Sequence, residues 1–148
     1  MRAFRSATLL AFAVAGCATR GDEVADHASS KLEGTWVLSL ENTKGKIVTT
    51  AKLKFQKAEA DSCIGGDWRE VRVIDYRTSD QSFFPLDEPI SYTIDGDELV
   101  IGRNSICDDY LRMRGKVLGT TIEGDYFAFG FGHSNDLGRF TLHRKGSK

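Results

Sequence analysis

Two prolines and three histidines among 148 residues are the first scarcities, and each excludes something. Pro85 and Pro89 are too few for a proline-rich linker, and no stretch repeats or falls to low complexity. His27, His133 and His143 are scattered and do not by themselves make a metal site, and the Cys107-Asp108-Asp109 run lacks the alternating oxygen ligands of a calcium loop. Three cysteines are too few for a disulfide-dense scaffold. Basic charge is not in excess, 20 Lys and Arg facing 21 Asp and Glu, so no electrostatic footprint for nucleic acid exists. A Gly-x-Ser-x-Gly elbow and a phosphate-cradling glycine loop are both missing. His133, Ser134 and Asp136 fall within one stretch, "GHSNDLG", whose residue types are those of turns. The expectation is a protein that is not an enzyme and carries no cofactor.

What is present begins at the N-terminus. Arg2 and Arg5 precede an apolar stretch from Ala7 to Ala15, the layout of an export signal and too short for a permanent membrane span. It ends Val14-Ala15-Gly16-Cys17, which resembles the bacterial lipobox. The resemblance implies removal of residues 1–16 and attachment of a diacylglycerol to the Cys17 thiol. Buried acyl methylenes contribute about 0.8 kcal/mol each, so several chains hold a small domain on a membrane. Ala18 follows the cysteine where an Asp would imply inner-membrane retention, so the resemblance implies an outer-membrane lipoprotein facing the periplasm. The competing reading is an ordinary signal peptide with Cys17 incidental.

Residues 17–30 then read as the lipidated cysteine and a polar tether, without apolar periodicity. The remaining stretch, 31–148, is the size of one compact domain. With Cys17 committed to lipid, Cys63 and Cys107 form an even pair in an oxidising compartment and read as one disulfide, worth roughly 3 to 4 kcal/mol on the chain-entropy model. Two free thiols or metal ligands remain the alternative.

Within 31–148 the apolar residues recur with period two, and no stretch of about ten residues or more carries a helical stripe. Leu32, Gly34, Trp36, Leu38 and Leu40 share one face of a first strand, and Ile47, Thr49, Ala51, Leu53 and Phe55 one face of a second. A third strand, Trp68 to Arg77, sets Val71 and Val73 on one side and Trp68, Ile74 and Tyr76 on the other. Asp95-Gly96-Asp97 is a hairpin turn between "ISYTI" and "ELVIG". Three further strands, "DYLRMRGKVLG", "TTIEGDYFAFGFG" and "GRFTLHRK", bring the number to eight. Eight short-linked antiparallel strands predict an all-β, up-and-down barrel, which abolishes sheet edges and either holds one small ligand or is filled by side chains.

The Gly34-Thr35-Trp36 segment resembles the Gly-x-Trp motif of the lipocalin and wider calycin families. The resemblance implies that Trp36 plugs the closed end of the barrel and that Arg144, near the end of the last strand, packs over it. The chain is shorter than those families' members and has no helix after the eighth strand. "LEGTWVL", "DSCIGG" and "LVIGRNSIC" also resemble, less closely, small bacterial META-type domains.

Two groups are candidates for binding. Tyr126, Phe127 and Phe129, with Tyr76, either line a cavity or are barrel core. Arg112 and Arg114 share a face of the sixth strand with Tyr110: if Leu111 and Met113 face the lumen, the arginines are a solvated outer face, and otherwise they meet an anionic head group. Two functions follow as expectations. One is a lipid-anchored carrier of a small apolar or amphiphilic molecule. The other is a protein-binding inhibitor or immunity lipoprotein, directed against a cell-wall hydrolase or toxin, that uses the polar stretches "TSDQSFFPLDE" and "HSNDLG" with Phe83-Phe84 as an exposed anchor.

Overall fold

The computed structural model describes residues 31–146. The leader, Cys17 and the tether lie outside the described residues. The chain forms eight strands in order: β1 (Trp36–Asn42), β2 (Ile47–Glu59), β3 (Arg69–Thr78), β4 (Ile90–Asp95), β5 (Glu98–Gly102), β6 (Tyr110–Leu118), β7 (Thr121–Gly130) and β8 (His133–Arg144). Each pairs antiparallel with the next, and β8 returns to β1, so the fold is a closed eight-stranded up-and-down barrel with no helix among the described residues. Tight turns make these connections possible: Gly96 and Gly132 both adopt positive φ, which costs a glycine little.

The alternation in sequence becomes an inside and an outside. Trp36, Leu38 and Leu40 from β1, Leu99 and Ile101 from β5, Met113 from β6, Ile122 and Tyr126 from β7, and Phe140 and Leu142 from β8 are buried to within one per cent of completely. Side chains that well covered have no water-sized space against them, so the lumen is packed. Gly115 and Gly124 face each other across β6 and β7: a methyl on Gly115 would lie 2.8 Å from the Phe140 ring, and one on Gly124 would strike the β6 backbone at the Arg114 carbonyl.

Four local expectations are corrected. β1 starts at Trp36, because Gly34 has φ of 99° and turns the chain, carrying Leu32 under the tryptophan instead of along the strand. In β2, a bulge between the partners of Leu40 and Glu41 turns Ile47 outward, where it is exposed. In β3, Lys52 pairs with Asp75 but Leu53 with Val73, so Ile74 is the extra residue of a bulge. Tyr76 therefore returns to the inner face with Val71 and Val73, and Ile74 faces solvent. β8 begins at His133, so the stretch read as a polar loop is strand, and the turn is only Phe131-Gly132.

The two ends are closed differently. At one, Trp36 is fully buried, its indole Nε1 donates to the Leu32 carbonyl at 3.0 Å, and Phe55 meets it edge-on with ring centres 6.2 Å apart. Arg144, directly opposite Trp36 across β1 and β8, holds its guanidinium 5.0 Å over the indole and donates to the Lys31 carbonyl. At the other end, the β3–β4 connection folds into the mouth. Phe84 is buried, Phe83 half-buried, both meet Tyr126 edge-on, and the Tyr126 hydroxyl donates to the Phe83 carbonyl. Phe83-Phe84 is thus a plug and not an exposed anchor; the mouth of a barrel is where an apolar loop pair finds the most surface to bury.

Candidate binding surface on the outer wall

The proposed pair Cys63 and Cys107 is joined in the structure, with Cα atoms 5.5 Å apart across a sequence separation of 44. The bridge fixes the β2–β3 connection against the outside of the barrel. Gly66, at φ of 121°, reverses the chain so that the Ala60 amide donates to the Trp68 carbonyl at 2.9 Å. The Cys63 amide donates to the Asn104 carbonyl at 2.9 Å, and the Asn104 side-chain amide donates to Ser91 Oγ at 2.8 Å, a buried polar contact on the outer wall of β4 and β5. Trp68 is held down on that wall, its indole bonded only to the Gly65 carbonyl at 3.3 Å.

Next to Trp68 lie the outward residues of β6 and β7. Leu111, Met113 and Val117 pack toward the core, so Tyr110, Arg112 and Arg114 face out; across the ladder, Tyr110 pairs with Phe129, Arg112 with Phe127 and Arg114 with Asp125. Tyr110 and Phe129 stack at 4.9 Å with planes 21° apart, and Phe127 lies 6.1 Å from Phe129. The Arg112 guanidinium sits 5.1 Å from the Trp68 ring centre and 4.6 Å from that of Phe129. Arg114 lies 5.9 Å over Phe127. Beyond them, at the hairpin tip, Phe131 is 90 % exposed.

The two arginines differ in their electrostatics. Arg114 reaches Glu98 at 3.4 Å and stands opposite Asp125. Arg112 stands between Gly102 and Phe127, with no acid in register. Burial pulls its pKa below the ordinary arginine value, repulsion from Arg114 adds to the shift, and Tyr110 opposes it.

The binding candidates read from the sequence therefore separate. Arg112, Arg114, Phe127 and Phe129 come together on the outer wall. Tyr126 is inside, and burial in the core raises its pKa. Tyr76, on the inner face of β3, lines a shallow pocket of about 370 Å³ with Val73, Ile74, Asp75 and Leu86, where β3 continues past the short ladder it shares with β4. Two features escaped the sequence reading. Trp68 joins the outer wall, signalled only by its place just after a glycine pair in a disulfide-closed loop. Arg103, buried among the connections, donates to Glu88 at 2.8 Å and Asp109 at 3.0 Å and ties the plug to the β5–β6 connection. Among the described residues, no group of three or more histidine, cysteine or acidic side chains is placed to hold a metal ion.

No known protein family matches the chain, and no curated protein matches it. Among solved structures it is similar to one described as a redesigned β-barrel, with 20 % identity, 80 % of this chain and 96 % of that chain covered, and a TM-score of 0.47.

Proposed function

We propose that this chain is a non-catalytic bacterial lipoprotein, lipocalin-like in its wiring and anchored through Cys17 to the outer membrane on its periplasmic side, that acts by binding a protein partner through the outer wall of β6 and β7. The observation that carries the choice of partner is the composition of that wall. Trp68, Tyr110, Arg112, Phe127 and Phe129 are contiguous, and Trp, Tyr, Phe and Arg are the types enriched at the centres of protein interfaces. A packed lumen favours this reading over carriage inside the barrel. An inhibitor or immunity role fits a rigid, filled scaffold that offers one face.

A photoreactive side chain at position 129 tests the reading in intact cells. It is expected to form a discrete heavier adduct that the same group at Ser39, on the wall of β1, does not form. Equal labelling at both positions, or none at 129, rejects the wall as the partner surface. The anchor is tested by Cys17→Ser, which is expected to shift the protein out of the fraction of lipidated membrane proteins; unchanged lipid labelling sinks it.

The small-ligand reading is tested at the pocket of Val73, Ile74, Tyr76 and Leu86. Native mass spectrometry of the full chain in mild detergent with added fatty acid checks it. A bound mass that Tyr76→Ala removes supports it, and a bare mass rejects it.

A further inference from the structure

The guanidinium of Arg112 is covered on its faces but not satisfied at its edge. Its Nε and Nη2 are buried without a hydrogen-bond partner, and no hydrogen bond or ion pair joins it to any described residue. Arg103, also largely buried, likewise leaves its Nε unpaired, but both of its Nη atoms have acceptors: Glu88, Asp109 and the Asp109 carbonyl. Trp68 and Phe129 offset part of the cost of desolvating Arg112 through their ring faces, yet an aromatic ring accepts nothing from N–H groups lying in the guanidinium plane. A half-buried cation left in that state is short of an anion.

The shape of the gap limits which anion enters. With Nε and Nη2 enclosed, Nη1 is the nitrogen left facing solvent, and a group approaching it comes edge-on along the aromatic wall. One positive charge is uncommitted there, because Arg114 already has Glu98 and Asp125 beside it. A flat monoanion matches a single fork better than a tetrahedral dianion, which Asp125 would repel.

We infer that Arg112 is an oxyanion anchor that takes a carboxylate, an Asp or Glu side chain or a chain terminus, presented by an acidic segment of the protein partner. This inference rests on the protein-partner reading above. The carboxylate accepts from Nη1, at the edge of the aromatic wall.

The probe is a short peptide, N-acetyl-Glu-Glu-amide, titrated into the full chain labelled with nitrogen-15 arginine and tryptophan in a non-ionic detergent; inorganic phosphate is titrated separately. The Arg112 Nε–H and Trp68 indole resonances are expected to shift saturably with the peptide. In Arg112→Gln the Trp68 response is expected to weaken at least tenfold. No saturable shift, an equal response in Arg112→Gln, or a response to phosphate alone overturns the assignment and leaves Arg112 a packing residue or a phosphate site. Should Arg112→Gln lose the barrel's spectrum, Arg112→Lys serves: it keeps the charge without the fork, at least threefold weaker binding is expected, and unchanged binding overturns the proposal. Peptide binding without an adduct at 129 sinks the protein-partner reading alone, and an adduct without peptide binding sinks the carboxylate anchor alone.

Discussion

The lumen of the barrel and the outer wall of β6 and β7 are built from similar materials and finished to different standards. Inside, every large polar tip has a partner: the Trp36 indole has the Leu32 carbonyl, the Tyr92 hydroxyl has the Gln56 carbonyl at 3.0 Å, and the Tyr126 hydroxyl has the Phe83 carbonyl. Outside, aromatic rings gather as densely, but the cation among them has no acceptor. A polar group left without its partner in a folded chain is expensive, so such groups gather where something else completes them. The lumen is a finished core; the wall is half of a contact.

That contrast can be broken at adjacent residues. The largest loss is expected inside: Trp36→Ala should cost about 3 to 5 kcal/mol in urea unfolding, since it empties the closed end and strands Arg144. A loss of surface size would mean that the indole is not the plug. Met113→Ala, facing the core, should cost about 2 to 5 kcal/mol, whereas its outward neighbour Arg112→Ala should cost about 1 kcal/mol or less. Equal losses would erase the distinction between a core face and a recognition face. Between these lies the bridge: Cys107→Ala should cost about 2 to 4 kcal/mol and broaden the Trp68 indole resonance, while the Trp36 resonance stays sharp.

The smallest effect is electrostatic. A hydrogen bond and charge from Lys52, 3.0 Å away, hold the Asp75 carboxyl below its ordinary 3.8. Because the folded value is depressed, the stabilisation from this pair is present above pH 3.8 and disappears as pH falls through the lower folded value. Carbon-detected titration should find the Asp75 midpoint below 3.8 and returned toward it in Lys52→Ala; an unmoved midpoint would discount the pair.

Eight strands and their order were legible because period-two alternation and turn residues such as Asp95-Gly96-Asp97 are local properties. What escaped depends on partners. A bulge adds one residue without altering the alternation on either side of it, so nothing around Ile74 announced that Tyr76 would rejoin the inner face. An apolar pair in a loop folds inward or stays out according to whether a mouth is open to receive it, and Phe83-Phe84 looks alike in both cases. The arginines of β6 were left open between inside and outside, and the burial of Leu111, Met113 and Val117 placed them outside. Trp68 could not be assigned to the wall without knowing that the Cys63 bridge and the Asn104–Ser91 contact pin its loop there.

The closure of β8 on β1 has a consequence for the chain as a string. The Lys145 amide donates to the Thr35 carbonyl at 2.8 Å, so the two ends of the described barrel already touch. A ring whose ends meet has no privileged starting point. A short linker joining 146 to 31, with a new opening at the Gly119-Thr120 turn, should keep every strand beside the same neighbours, a circular permutant in which wall and core survive while the tether is free to be moved elsewhere.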